Sequence, residues 1–122
     1  MIESIYNFKK ISPLWATGGQ PDEDELHEIW QAGFEVVINL GRDKTDYAIP
    51  EEKNILALYG IKYYHLPVSF QAPQIEHYQE FAKILRSISD KKVFIHCAAN
   101  KRVSVFIALY QMIETKLPFQ EA

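Results

Sequence analysis

Apolar positions along the chain follow two periods that alternate. Short, mostly apolar runs are typical of strands buried on both faces of a sheet. They occur at Leu14–Thr17, Val36–Leu40, Ile61–Val68 and Val93–Ile95. A segment with apolar residues at helical spacing follows each run, and this alternation predicts an α/β fold. We expect a central, mainly parallel sheet of about four to five strands that is flanked by helices.

The predicted helices have recognisable start and stop signals. Acidic residues at Asp22–Glu25 open the first helix, and Gly33 follows its end. The second helix starts at Pro50 and ends before Gly60, and the fourth spans Val103–Thr115. The apolar faces of the first and third helices comprise Leu26, Ile29, Trp30 and Phe34, and Ile75, Tyr78, Phe81, Ala82, Leu85 and Ile88.

Length and composition fit one domain over residues 1–122. Hydrophobic residues make up 48% and charged residues 24% of the chain, which is close to the average of globular proteins. No repeat or low-complexity block divides the sequence. Pro118 resembles the first turn of a further helix, so we expect a C-terminal helix from about residue 118 that this chain truncates.

The net charge and the lengths of the apolar runs argue against a membrane or a nucleic acid as partner. Val103–Tyr110, among the longest apolar runs, is too short to span a bilayer, and the N-terminal segment lacks a secretory signal pattern. We therefore expect a cytoplasmic protein with no membrane partner. The net charge of −3 gives no footprint for nucleic acid, so an anion must be bound by a local site. The single cysteine and four scattered histidines show no zinc-ligand spacing, and we expect no metal and no cofactor.

The segment HCAANKR, residues 96–102, joins the last predicted strand to the last predicted helix. Ligands of parallel sheets bind at the carboxyl ends of the strands, which is where Cys97 lies. A thiol attacks as the thiolate, and a helix N-terminus with cations such as Lys101 and Arg102 lowers its pKa from about 8.5 to roughly 3.5–7.5. The alternative is a core cysteine beside two solvated charges.

The backbone of the same turn also suits an anion. Successive N–H groups at residues 98–102 can surround an anion at the positive end of the following helix. Ala98 and Ala99 leave room for it, and Asn100 tolerates the left-handed conformation that tight anion-binding turns often need. We predict that these three residues and Lys101 bind phosphate or sulfate, with Cys97 as the nucleophile.

The segment VFIHCAANKRVSVF resembles the signature loop of cysteine-dependent protein tyrosine and dual-specificity phosphatases, in which His-Cys is followed by five residues, Arg, and Ser or Thr. Two further segments, ATGGQPDEDELHEIWQAGFEVVINL and HLPVSFQAP, resemble a small bacterial phosphatase-like family. The similarity covers roughly residues 14–115. It implies a phosphatase-type fold, a phosphocysteine intermediate, no metal, and a phosphorylated protein or small phosphomonoester as substrate.

The signature is broken at its arginine. Without a gap, Val103 takes the arginine position, and Arg102 lies one residue early, with four residues between it and Cys97. Either the loop is tighter and Arg102 binds the phosphoryl oxygens, or Lys101 substitutes as a point charge. Rhodanese-like sulfurtransferases use this four-residue spacing, although Ser104 remains phosphatase-like. Ser104 either donates to the thiolate or bonds only backbone.

Two side-chain roles around the loop follow from the resemblance. His96 is expected to orient the loop through its ring nitrogens, or to be a satisfied core histidine. The general acid of such phosphatases is an aspartate, but Ser69 stands in its place. The substitutes that we consider are Glu76, Asp43, Asp46, His65 and His77, and for each of them the pattern favours an ordinary surface or loop residue over an acid. Tyr63, Tyr64 and Phe70 could line the site as an aromatic wall for a phosphotyrosine ring. The alternative is that these rings only pack in the core and on the surface.

Three functions follow from these patterns. The first is a phosphatase of the tyrosine or dual-specificity type that acts through Cys97, Arg102, Ser104 and His96. The second is a non-catalytic pseudophosphatase that binds phosphate, since the arginine and acid positions are altered. The third is a sulfurtransferase, since the spacing from Cys97 to Arg102 fits that class.

Overall fold

The structure is a computed structural model that describes residues 2, 5–41, 51–67, 75–88, 90–97 and 101–114, with side chains in the last segment at positions 103 and 105–111. In chain order the elements are β1 Lys9–Lys10, β2 Trp15–Gly18, α1 Glu23–Gln31, β3 Val36–Asn39, α2 Glu52–Leu58, β4 Lys62–His65, α3 Ile75–Ser87, β5 Val93–His96 and α4 Lys101–Glu114.

The strands form one sheet in the order β1-β2-β5-β3-β4. β2, β5, β3 and β4 are parallel to one another, and β1 pairs antiparallel with β2. The predicted α/β fold with a mainly parallel sheet is therefore confirmed. β1 was not predicted, because its two residues are exposed lysines with no apolar signal. Lysines on an edge strand discourage pairing with another chain.

Two apolar clusters cover the two faces of the sheet. One joins the strands to α3 and α4 and includes Ile38, Val93 and Ile95. The other joins them to α1 and α2 and includes Val37 and Phe94. Neighbouring residues of a strand thus enter opposite clusters, as the two-residue period of a strand requires. Helices on both faces explain why the parallel strands are continuous apolar runs.

Local signals place α1 as the sequence predicts. The Asp22 carboxylate accepts from the N–H of Glu25, whose own carboxylate accepts from the N–H of Asp22. This reciprocal pair satisfies two N–H groups that the first turn leaves free. At the other end Gly33 has a φ of 90°, a conformation that favours glycine. The bounds of α1 are thus encoded within the helix and its flanks.

Two apolar positions are not in the core, contrary to the sequence prediction. Trp30 is exposed and stacks on Tyr59 at 5.1 Å between ring centroids. Ile75 is the first residue of α3 and is also exposed, while the later residues of its predicted apolar face are buried. Trp30 has an aromatic partner outside the core, and Ile75 lies at a helix end. Helical spacing predicts neither circumstance, so it overestimates the burial of both side chains.

Three element bounds differ from those predicted. β4 ends at His65, and the last bond to β3 comes from the Leu66 N–H. Pro67 follows and has no N–H to continue the pairing. α2 starts at Glu52, and α4 starts at Lys101, two residues before the predicted start. Lysine and arginine are good helix formers, so the basic pair joins the first turn of α4. The predicted C-terminal helix near residue 118 and the proposed single domain of residues 1–122 extend beyond the described residues.

Within the described part of the chain, no helix is both long enough and apolar enough to cross a bilayer.

Leucine truncations on α1 and α2 should separate core packing from helix propensity. Leu26 is 0% exposed, whereas Leu58 is 87% exposed. Leu26→Ala should lower the free energy of unfolding by about 2–5 kcal/mol, because it removes apolar burial and leaves a cavity. Leu58→Ala makes the same chemical change on the surface and should alter it by less than about 0.5 kcal/mol. Urea denaturation measures both, and equal losses would contradict the described core.

Candidate active site

The candidate site lies at the carboxyl ends of the parallel strands. Gly18 of β2 and Asn39 of β3 both pair with His96 of β5, and Asn39 also pairs with His65 of β4. Four neighbouring strands therefore end in one row, with β5 between two partners. This is the edge where parallel sheets bind ligands, as the position of Cys97 in the sequence predicts.

Cys97 is the first residue after β5. Its N–H donates to the carbonyl oxygen of Gly18 at 3.4 Å, and the carbonyl oxygen of His96 accepts from the N–H of Leu40 at 2.8 Å. The thiol is buried and belongs to the cluster that faces α3 and α4. Burial alone fits both a core cysteine and a shielded nucleophile. The backbone before the thiol is held from both sides, so its position is set by the sheet.

His96 and Glu52 form a buried pair on the opposite face of the sheet. The His96 Nε2 and Glu52 Oε2 atoms are 2.6 Å apart, and the two side chains are 0% and 3% exposed. The Gln20 amide nitrogen donates to Glu52 Oε1 at 3.0 Å and to the carbonyl oxygen of Pro21 at 3.0 Å. Both oxygens of the carboxylate are therefore bonded by side chains from other parts of the chain.

This environment holds the pKa of Glu52 below its ordinary value. Burial acts in the other direction and raises the pKa, because it disfavours the charged carboxylate. The charge and hydrogen bond of His96, the hydrogen bond from Gln20 and the charge of His65 together outweigh burial. Glu52 therefore stays ionised although water is excluded from it.

The expected orienting role of His96 gains a physical basis from this pair. A carboxylate only accepts hydrogen bonds, so Nε2 of His96 carries the proton. The other ring nitrogen, Nδ1, is buried and has no hydrogen-bond partner among the described residues. The ring is thus fixed through Nε2, and Nδ1 remains available.

A second polar cluster lies next to the pair at the same sheet edge. The Asn39 amide donates to the Tyr63 hydroxyl at 2.9 Å, and its oxygen accepts from the Gly41 N–H at 2.7 Å. His65 Nε2 donates to the Gly41 carbonyl oxygen at 2.6 Å. His65, a candidate acid, is therefore at the correct edge but is bonded to backbone. Tyr63 and Tyr64 pack on opposite faces of the sheet and do not form one aromatic wall.

The signature loop is described only in part. Lys101 and Arg102 lie in the first turn of α4, as does the backbone of Ser104. Val103 is buried in the cluster between the sheet and α3/α4, so this residue, which takes the arginine position of the ungapped signature, is a core residue. Glu76 and His77 lie on α3, at its exposed start and one residue further. Ala98, Ala99, Asn100, Ser69, Asp43, Asp46 and Phe70 fall outside the described residues.

Sequence reasoning missed Glu52 and Gln20. In the sequence, Glu52 lies near the start of the second predicted helix, where acidic residues are common, and Gln20 lies between Gly19 and Pro21, a composition typical of a turn. A carboxylate beside an equally acidic neighbour, Glu51, carries no sign of burial in the sequence. Within the described residues, no group of three or more histidine, cysteine, aspartate or glutamate side chains is arranged to hold a metal ion.

The titration of Glu52 provides a test of the buried pair. Its folded-state pKa is lowered, so its contribution to stability is present above the ordinary glutamate value of about 4.3 and is lost as the pH falls through the folded-state pKa. His96→Asn should move the carboxyl titration, measured by carbon NMR, to higher pH, since burial is then less opposed. His65→Asn removes the smallest of the lowering causes and should move it less. An unchanged midpoint in His96→Asn would contradict the pairing.

Comparison with known families gives a match over residues 5–121 to the family described as PTP-NADK, DSP-PTPase phosphatase fused to NAD+ kinase. Comparison with curated protein sequences gives no match. Similar solved structures include a candidate phosphatase (DUF442) from Shewanella putrefaciens CN-32, which is 32% identical with a TM-score of 0.91. The alignment covers 96% of this chain and 78% of that one.

Two further structures share the fold. A mutant form of Tk-PTP is 29% identical with a TM-score of 0.80, over 99% of this chain and 79% of that chain. A mutant of Pseudomonas aeruginosa TpbA in complex with phosphotyrosine is 15% identical with a TM-score of 0.75, over 94% of this chain and 68% of that chain. The family match over nearly the whole chain and the 32% identical relative show that the protein belongs to the DSP-PTPase family of tyrosine and dual-specificity-type phosphatases.

Proposed function

We propose that the protein hydrolyses phosphomonoesters through a phosphocysteine intermediate on Cys97. The observation that carries the proposal is the place of this cysteine, directly after the central strand β5 and four residues before the first turn of α4. Strand, cysteine, short turn and helix N-terminus in that order combine a nucleophile with an anion-binding backbone. Membership of the DSP-PTPase family supports the same chemistry.

The proposed reaction has two steps. The Cys97 thiolate attacks phosphorus, so that a sulfur–phosphorus bond forms while the bond to the ester oxygen breaks. The leaving oxygen takes a proton from an acid or from water. Water then attacks the phosphocysteine, which releases phosphate and returns the electron pair to sulfur. Ser104 is the proposed donor that stabilises the thiolate in both steps, and residues 98–101 are the proposed binding turn for the phosphoryl oxygens.

Arg102 is the proposed ligand for two phosphoryl oxygens. Val103, which takes the arginine position of the ungapped signature, is buried in the core. We therefore assign the role of the signature arginine to the residue before it, Arg102. Its planar guanidinium donates two parallel hydrogen bonds, which the point charge of Lys101 reproduces less well. For Arg102 to bind the phosphoryl group, the loop must be compact, with only four residues between Cys97 and Arg102.

We infer that aryl phosphates, phosphotyrosine among them, suit the site best. No carboxylate occupies the usual acid position, where Ser69 stands, so leaving groups that need little protonation are favoured. The related fold of TpbA has been solved with phosphotyrosine. The proposed substrate is therefore a phosphorylated protein or a small phosphomonoester. A cytoplasmic location stays a prediction from the sequence.

Cys97→Ser should abolish hydrolysis of p-nitrophenyl phosphate, because serine is not ionised at neutral pH and cannot act as the nucleophile. Mass spectrometry after rapid acid quench should detect a phosphoryl adduct on the wild-type protein and none on the variant. Phosphate binding, measured by calorimetry, should persist in Cys97→Ser and serves as the control for folding. Turnover that survives the substitution would refute the covalent mechanism.

Arg102→Ala should lower kcat/KM for the same substrate by about 10²–10⁴-fold, because two charge-assisted hydrogen bonds of about 1.5–3 kcal/mol each are lost. Arg102→Lys should recover only part of this loss. Arg86→Ala, in the last turn of α3, removes the same side chain away from the site and should change kcat/KM by less than about twofold. Equal effects at both arginines would exclude the proposed role of Arg102.

Two alternatives have specific support in the sequence. Ser69 in the acid position favours a non-catalytic phosphate-binding protein, for which phosphate should bind without any turnover. The four-residue spacing between Cys97 and Arg102 favours sulfur transfer. In that case thiosulfate should yield a persulfide on Cys97, and cyanide should be converted to thiocyanate. These assays use the same protein preparation and distinguish the three functions.

A further inference from the structure

We propose that Glu52 is a positioning residue for the nucleophile, and that it acts on Cys97 through His96. The inference rests on the proposed function of Cys97 and goes beyond it by assigning a role to a carboxylate in another element. Glu52 is the first residue of α2, and His96 is the last residue of β5, 44 positions later. Cys97 follows His96 directly in the chain.

The burial of this carboxylate calls for a reason other than stability. Removing two charged or polar groups from water costs free energy that an ion pair often fails to recover, and apolar side chains of similar size commonly serve a core as well. The core cluster on this face of the sheet is apolar and includes Leu26, Ile29 and Phe94. We therefore attribute the Glu52 carboxylate to its effect on its partner, His96.

The contacts of Glu52 fix the His96 ring in one orientation. Oε2 lies 2.6 Å from Nε2, which sets the proton on that nitrogen, and Oε1 accepts from Gln20, which sets the rotation of the carboxylate. The backbone of His96 is held independently, since its carbonyl oxygen accepts from the Leu40 N–H. Side chain and backbone of the residue before Cys97 are therefore both restrained.

The orientation also determines which ring atom is left for the site. With Nε2 bonded to Glu52, the ring nitrogen without a partner among the described residues is Nδ1, the one closer to the main chain that leads into Cys97. The imidazole ring also stands between the buried carboxylate and Cys97 in the chain of contacts, whereas a carboxylate that faced the thiolate directly would repel it.

The test compares Glu52→Gln with Glu51→Gln, its matched control. Both substitutions remove one carboxylate from neighbouring positions, but Glu51 is exposed and bonds only Asn54 among the contacts described for its side chain. Glutamine at position 52 retains an oxygen that accepts from His96, so the variant removes charge while keeping shape. Glu52→Ala, which removes both, completes the series.

The primary readout is the ultraviolet absorbance of the thiolate as a function of pH. The chain has a single cysteine, so the difference between each variant and the same variant carrying Cys97→Ser reports Cys97 alone. The midpoint should move to higher pH in Glu52→Gln and further in Glu52→Ala, and should stay in place in Glu51→Gln. A pair with only a structural role would lower the unfolding free energy of the Glu52 variants without moving this midpoint.

Kinetics and a double variant show whether the effect passes through His96. For p-nitrophenyl phosphate, kcat of Glu52→Gln should fall by about 3- to 10-fold with little change in KM, because the His96 hydrogen bond is then made to a neutral oxygen and is roughly half as strong. Glu52→Gln combined with His96→Asn should be no slower than His96→Asn alone, because the shared path is already broken. Additive losses would overturn the inference.

The outcomes for the two proposals can be told apart. If the wild-type protein has no turnover, the phosphatase proposal fails, and the thiolate midpoints alone decide the role of Glu52. If turnover is present but the midpoints and kcat of Glu52→Gln equal those of Glu51→Gln, the phosphatase proposal stands and the role of Glu52 is refuted. If Glu52→Ala does not fold, the decision rests on Glu52→Gln, which conserves shape.

Discussion

The insertion of β5 between β2 and β3 is the interaction on which the rest of the structure depends. This strand is the last of the described strands in sequence, yet its backbone pairs in parallel with a neighbour on each side. The pairing brings Gly18, Asn39 and His96 into one row and so defines the edge where the chain leaves the sheet at Cys97. Helices on both faces then follow, because a parallel sheet must bury both of its surfaces.

The buried pair of Glu52 and His96 connects this central strand to the helix layer above it. It joins the start of α2 to the end of β5, and Gln20 adds the segment between β2 and α1. Such a network is costly unless each member is bonded, since polar groups lose water when they are buried. Here each oxygen of the Glu52 carboxylate has a partner. The second ring nitrogen of His96, Nδ1, has none among the described residues.

The start of α4 limits how the loop after Cys97 can work. Val103 packs in the core, so the helix is anchored by an apolar contact two residues after its first residue, Lys101. Val103, which an ungapped signature puts in the arginine position, is therefore a core residue. Under the proposed function, Arg102 takes the role that the signature gives to this position.

The sequence by itself determined every described element except β1, and their class. Apolar periodicity, the acidic residues Asp22–Glu25 and Gly33 act within a few residues, so they can be recognised without knowledge of the fold. The motif around Cys97 was legible for the same reason. Only the tertiary structure decided the strand order, the exposure of Trp30 and the contact between Glu52 and His96. Each of these features depends on residues that are far apart in the chain and meet only after folding. A pattern of neighbouring residues therefore cannot predict them.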